Sequence, residues 1–204
     1  MFVPVAILYA GNMTVRPRLV LFVRYPTAGR AKTRLIPALG AQGAADLHRR
    51  LTERTLATLR ATGLPVELRT TGAPTAAFHR WLGDVVCIPQ GCGHLGARMR
   101  RGAADAPAIL VGADIPDLAP GHLIAAAKAL ANAPVTIGPA EDGGYYLIGV
   151  REPLPWLFAP MAWGTRSVRT TTLDRLAKRG VAVTLLAPLS DLDTPGDLER
   201  WPGL

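Results

Sequence analysis

Cysteine is scarce in this 204-residue chain: Cys87 and Cys92 are the only two, too few for the disulfide framework of a secreted protein. A reducing, cytoplasmic compartment is expected. No second Cys/His pair stands at finger spacing from Cys92-Gly93-His94, so zinc is not expected either. Aromatic residues make up only 6% of the chain, and neither a long Lys/Arg run nor a groove-reading motif occurs, which argues against nucleic acid. The leading segment Met1 to Ala10 (MFVPVAILYA) is apolar, but it is too short for a membrane span and lacks a basic start and a small-x-small cleavage site. No membrane partner is expected. Acidic residues are outnumbered, 15 against 23 Lys and Arg, and the net charge of +8 suggests a phosphate-bearing partner, best a phosphorylated small molecule.

What is present describes a globular fold. Hydrophobic residues reach 49%, enough at this length to bury roughly 70% of the unfolded surface in one core, while 21 Gly and 18 Pro imply many loops. Short apolar runs at Leu19 to Val23, Val66 to Thr71, Val85 to Ile88, Ile109 to Val111, Val135 to Ile137, Tyr145 to Val150 and Val181 to Leu186 read as strands. Helical patterns fall mostly between them, at Ala41 to Thr62, Pro74 to Leu82, Leu95 to Ala104, Pro120 to Ala131, Arg166 to Arg179 and Pro195 to Trp201. The alternation predicts an α/β protein with a mainly parallel sheet buried under helices on both faces. In the first helix Ala45, Leu47, Leu51, Leu56 and Leu59 form the apolar side, and His48, Arg49, Arg50, Glu53 and Arg54 are expected in solvent. Cys87, in an apolar run, is expected buried. Residues 1–17 read as an N-terminal extension, frayed or disordered, with Met13 an alternative start, and 18–204 as one domain.

Three segments carry chemistry, the first two at strand ends, where open parallel sheets bind ligands, and the third extended. The first, Arg24 to Arg34 (RYPTAGRAKTR), gathers Arg24, Arg30, Lys32 and Arg34 around the turn at Gly29 and resembles a phosphate cradle without the Gly-Lys-Ser/Thr order of a Walker loop. The second delivers Asp114 at the end of an apolar strand (AILVGADIPDL), placed to hold a cation that takes few protein carboxylates and completes its shell with water and phosphate. Asp117 reads as a turn residue. In the third, Leu189 to Leu198 (LSDLDTPGDL), Thr194 or Asp193 can cap the helix opened by Pro195, and Asp191 or Asp193 can complete a metal site. A further turn, Gly138 to Tyr146 (GPAEDGGYY), sets Glu141 and Asp142 beside Gly143 and Gly144, whose freedom at positive φ lets the backbone approach a ligand. Two adjacent acids repel unless a cation or hydroxyl answers them, so the turn is built to meet a ligand.

Together the segments GRAKTRL, VGADIPDL, GPAEDGGYYLIG and DLDTPGDL, in this order over Leu19 to Leu198, resemble the radical-SAM/selenodomain-associated transferase family. That family is similar to GT-A-fold nucleotide-diphospho-sugar transferases, some members being linked to arsenosugar biosynthesis. Its front half is similar to guanylyltransferases of the 2-phospho-lactate and molybdenum-cofactor type. The resemblance implies a GT-A or Rossmann-like three-layer sandwich over 18–204, and a nucleotide-sugar or nucleoside triphosphate used with a small-molecule acceptor. It further implies Mg²⁺ or Mn²⁺ bridging the phosphates. Glycosyl transfer is the leading expectation, nucleotidyl transfer the alternative, and a non-catalytic nucleotide-binding regulatory domain a third. On the matching positions Lys32 and Arg34 contact phosphate, Asp114 is the main metal ligand and Asp193 the second. Asp114, Glu141 and Asp142 are the catalytic candidates; His94, Gly143, Gly144, Tyr145 and Trp163 are the substrate candidates, Trp163 either stacking on a base or sugar or packing in the core. The chain departs from the family pattern at Arg24, His94 and Ala97.

Overall fold

The computed structural model describes residues 16–204. The expectations for the N-terminal extension therefore fall almost wholly outside the described residues. Seven strands, β1 (Arg18–Arg24), β2 (Val66–Thr71), β3 (Val86–Pro89), β4 (Ala108–Val111), β5 (Val135–Pro139), β6 (Tyr145–Val150) and β7 (Val183–Leu185), form one sheet in the order β3-β2-β1-β4-β6-β5-β7. All are parallel except β6, which runs against both β4 and β5. Only the acidic turn separates β5 from β6, and a connection that short can join antiparallel strands alone.

Side chains alternate across the sheet, so Leu19 and Leu21 face one layer and Val20 the other. On the first side lie Leu56 and Leu59 of α1 (Ile36–Arg60), Phe78 of α2 (Thr75–Leu82) and Leu123 and Leu130 of α4 (Pro120–Asn132). On the second, Met99 of α3 (Leu95–Gly102) and Leu176 of α5 (Val168–Ala177) pack with Leu157 and Phe158 against Val20, Leu110 and Ile148. Burial from both sides explains why the central strands read as unbroken apolar runs, each enclosed Leu contributing about 1.5–3 kcal/mol. The chain leaves β1 toward β2 on one side and returns to β4 on the other. The loops after β1 and β4 therefore diverge and leave a crevice at this edge.

The structure differs locally from the sequence reading in four places. α1 begins at Ile36, with Pro37 suited to its first turn, and Gly40 (φ 70°, ψ 168°) interrupts it just before Ala41, the predicted start. His48 is not in solvent: it is only 8% exposed, because Ala44, His48, Leu51 and Thr55 share one inward stripe. Cys87 is half-buried rather than enclosed, since β3 is an edge strand. The predicted C-terminal helix is a short 3-10 helix, Pro195–Arg200.

Candidate active site

A cavity of about 640 Å³ opens where β1, β4 and β6 meet at this edge, within the range of small-ligand sites. Its lining includes Arg24, Arg30, Lys32, Arg34 and Arg98 as cations and Asp114, Asp142, Asp191 and Asp193 as acids. The site is built from long-range contacts. The backbone N–H of Leu192 donates to the carbonyl of Asp114 at 2.9 Å, which joins the C-terminal segment to the loop after β4. Leu192 itself is fully buried against Leu35, Leu47 and Leu51, so Asp191 and Asp193 flank a fixed apolar anchor.

Lys32 is the centre of this arrangement. Its backbone is left-handed (φ 47°, ψ 47°), the one non-glycine residue with positive φ among the described residues, and its side chain is 4% exposed. The ammonium donates to the Leu192 carbonyl at 2.5 Å and lies 2.7 Å from Asp114 Oδ1 and 3.6 Å from Asp193 Oδ1. Arg34 Nη1 meets the other Asp193 oxygen, Oδ2, at 2.6 Å. Two carboxylates thus converge on one cationic point. That donor set fits Mg²⁺ or Mn²⁺, which takes one or two protein carboxylates and leaves the remaining positions to water and phosphate. Among the described residues no group of three or more His, Cys, Asp or Glu side chains could enclose an ion without such help.

Electrostatics divide the remaining groups. Arg24 and Arg30 are exposed and, among the described residues, their guanidinium groups have no acidic partner, so their charge is available to a phosphate. Asp191 is raised above the ordinary carboxylate range, first by burial and then by Asp142 and Asp193 nearby. For Asp197 burial works upward, but hydrogen bonds from Asp193 N, Thr194 N and the Thr194 hydroxyl outweigh it and lower the carboxyl. Those bonds close the turn that presents Asp193. His48 Nε2 donates to the Arg24 carbonyl at 2.9 Å, while Nδ1 has no partner among the described residues. Burial lowers its pKa, so the ring lining the cavity is neutral at physiological pH.

At the other end of the cavity, Asp142 Oδ1 accepts from Gly144 N at 2.7 Å. Arg169 ties this acidic turn to the start of α5, its N–H donating to the Gly143 carbonyl at 3.0 Å and its Nη1 to the Ala140 carbonyl at 2.9 Å. Trp163 lines the same end and packs so closely on Gly96 that a Cβ there would lie 2.5 Å from its ring. Its Nε1 is buried without a partner among the described residues. Tyr145 lines the cavity too, its phenol raised by burial.

A family model described as "Uncharacterized protein conserved in bacteria (DUF2064)" matches residues 55–165. The chain belongs to the DUF2064 family. A protein from Desulfovibrio desulfuricans G20, provisionally named a nucleotide-diphospho-sugar transferase, is 30% identical to this DUF2064 chain; the match covers 88% of this chain and 83% of that one, at a TM-score of 0.82. Two more distant structures share the fold. A nucleotidyl transferase from Methanothermobacter thermautotroptrophicus is 17% identical over 90% of this chain and 95% of its own, at TM-score 0.59. The manganese complex of Rv0371C from Mycobacterium tuberculosis H37Rv is 19% identical over 90% and 97%, at 0.52. No curated protein matches in sequence. The architecture is therefore the α/β sandwich of nucleotide-diphospho-sugar transferases, with a mostly parallel sheet.

Of the residues singled out in sequence, the DUF2064 cavity brings together Arg24, Arg30, Lys32, Arg34, Asp114, Asp142, Gly144, Tyr145, Trp163 and Asp193. Gly29 (φ 75°) shapes the first loop and Gly143 (φ 92°) the acidic turn without lining the cavity. Two candidates lie elsewhere. Glu141 pairs with Arg200 at 2.8 Å and is lowered by that bond, on a side chain 54% exposed outside the cavity. His94 caps α3, its Nδ1 accepting from Ala97 N at 3.3 Å, and lines a separate hollow with Trp156 and Pro160. In its observed position Lys32 is occupied by protein acceptors rather than open to phosphate. Asp117 accepts from Trp201 Nε1. The sequence reading missed His48, Gln90 and Arg98 as lining residues. The spacing 44, 48, 51, 55 marks His48 as inward-facing, whereas Gln90 and Arg98, joined at 3.3 Å, meet only through the fold.

Proposed function

We propose that this protein is a metal-dependent transferase that binds a nucleotide-sugar by its diphosphate and passes the glycosyl group to a small acceptor. The observation that carries the reading is the convergence of Asp114 and Asp193 on one cationic point beside Arg24 and Arg30, which have no acidic partner among the described residues. Asp114 and Asp193 would hold Mg²⁺ or Mn²⁺, and the manganese bound by Rv0371C makes Mn²⁺ the first ion to test. Once bound, the ion supplies positive charge to the departing diphosphate.

The chain's own groups divide the remaining work. Arg24 and Arg30 attract and orient the phosphates, and the buried neighbours of Leu192 keep the aspartates in place before the substrate arrives. Asp142, with one oxygen held by Gly144, is placed to take a proton from an acceptor hydroxyl, and Trp163 and Tyr145 give that hydroxyl's carrier an aromatic surface. Free Cys87 and Cys92 fit work in the cytoplasm, and among the described residues no helix is long and apolar enough to cross a membrane.

A thermal-unfolding panel of nucleoside diphosphates, triphosphates and nucleotide-sugars, each with and without Mn²⁺, tests the reading. A ligand at a hundred times its dissociation constant adds about 2.7 kcal/mol, and that gain should require the metal. Asp114→Asn should remove it with the fold intact. Equal stabilisation without metal would refute the bridge. Product analysis then separates the chemistries: glycosyl transfer releases a nucleoside diphosphate, nucleotidyl transfer releases pyrophosphate, and a regulatory domain releases neither.

A further inference from the structure

The position of Lys32 has a meaning beyond phosphate attraction. Its ammonium donates to the Leu192 carbonyl and lies 2.7 Å from Asp114 Oδ1 and 3.6 Å from Asp193 Oδ1. The side chain is 4% exposed, against 68% for neighbouring Arg34, although both belong to the same basic loop. A left-handed backbone, disfavoured for any residue with a Cβ, turns this side chain inward. The environment that encloses it is formed by the same two carboxylates read above as metal ligands. Like charges facing each other at this distance need a counter-charge, and Lys32 supplies it from within the chain.

We propose that Lys32 is the resident cation of the two-aspartate site, holding Asp114 and Asp193 together until a divalent ion displaces it. The inference rests on the reading of those aspartates as metal ligands. An ammonium 2.7 Å from Asp114 Oδ1 repels a dication entering the same pair of carboxylates, and the two compete for the same negative charge. Metal binding therefore favours departure of the ammonium. Lys32 lines the cavity that would receive the diphosphate, so the displaced charge has a partner only when phosphate enters with the metal. The ion alone then binds weakly, and ion and nucleotide bind cooperatively.

The test is titration of the full chain with Mn²⁺ alone, followed by the electron paramagnetic resonance signal of the free ion. Lys32→Met and Lys32→Gln are compared with the unaltered protein, the glutamine variant keeping an N–H donor for the Leu192 carbonyl should the methionine variant fold poorly. Both variants should bind Mn²⁺ at least about tenfold more tightly, a modest share of what removing a unit charge beside a dication permits. Adding Asp114→Asn should abolish the gain. Without metal both variants should unfold at lower temperature than the unaltered protein, and Mn²⁺ should restore the difference. If the unaltered chain binds Mn²⁺ as tightly as the variants and Asp114→Asn removes the binding, the metal site stands and the role of Lys32 falls. If neither the unaltered chain nor the variants bind Mn²⁺, both readings fall together.

Discussion

Replacing Gly143 by alanine places a methyl group where the chain has no room for one. Gly143 has φ +92°, and a Cβ built there lies 2.4 Å from the Arg166 carbonyl oxygen and 2.7 Å from its Cα. Ordinary contact begins near 3.4 Å, so the turn and the segment before α5 must separate by about 1 Å. Both obstacles are backbone, which cannot rotate aside as a side chain can. Gly164 supplies the control, since it also has positive φ (+77°) but its Cβ would meet nothing within 4 Å. The left-handed conformation costs a residue with a Cβ roughly 1–2 kcal/mol at either position. At Gly143 the overlap adds ~1–3 kcal/mol of the kind seen when extra atoms are forced into packed space. For a chain of this length 1 kcal/mol lowers Tm by ~2–4 °C, so Gly143→Ala at ~3 kcal/mol should lose ~6–12 °C and Gly164→Ala only ~3–6 °C. Calorimetry of both variants at neutral pH measures the difference. Equal losses would show that the overlap relaxes freely, and the argument that α5 fixes the acidic turn would be wrong.

Three other outcomes are expected. His48 is held neutral by burial, which lowers its pKa below the unfolded value near 6.5. The unfolded chain binds that proton first, so stability should fall as pH drops below ~6.5, by at most about 1.4 kcal/mol per unit, and level off once the folded His48 titrates. In His48→Gln that component should vanish from the pH dependence of denaturant unfolding; an unchanged slope would assign it elsewhere. Asp142→Asn should lower the transfer rate at saturating donor while Glu141→Gln leaves it unaltered, because Asp142 lines the cavity and Glu141 engages Arg200 outside it. Equal losses in a turnover assay would contradict that separation. Tyr146→Phe should cost about 1 kcal/mol, the usual net value of a hydrogen bond, by removing the bond from the Tyr146 hydroxyl to the Ala187 carbonyl at 3.2 Å. No loss in a urea titration would mean that water replaces it.

The fold was largely legible because hydrophobic period and punctuation agreed. Val66–Thr71 and Tyr145–Val150 are strands over the spans that their apolar runs predicted, and Pro120 opens α4 as a first-turn proline should. The candidate site was legible only where a motif names both a residue and its place at a strand end, as with Asp114. Side-chain direction was not. Glu141 and Asp142 are adjacent and chemically alike, yet the turn gives one to Arg200 and the other to the cavity. Lys32 read as a phosphate contact of the basic loop because its partners in the fold lie 82 and 161 residues away, at Asp114 and Asp193. His48 was misplaced for a different reason: polarity was read ahead of its position on the helix stripe.

The reversed direction of β6 also gives the crevice two walls of different construction. The loops bearing Lys32 and Asp114 are anchored through crossover helices and through Leu192, so any change in their length disturbs packing across the whole sheet. The turn bearing Asp142 instead joins two adjacent strands whose register is set by their own pairing. It is nonetheless tied to the segment that carries Asp191 and Asp193, because Glu141 N donates to the Leu189 carbonyl at 3.2 Å and the Glu141 carboxylate pairs with Arg200. A change of length in that hairpin therefore reaches the aspartate segment through Leu189, so the two walls of the crevice are coupled through the C-terminal segment.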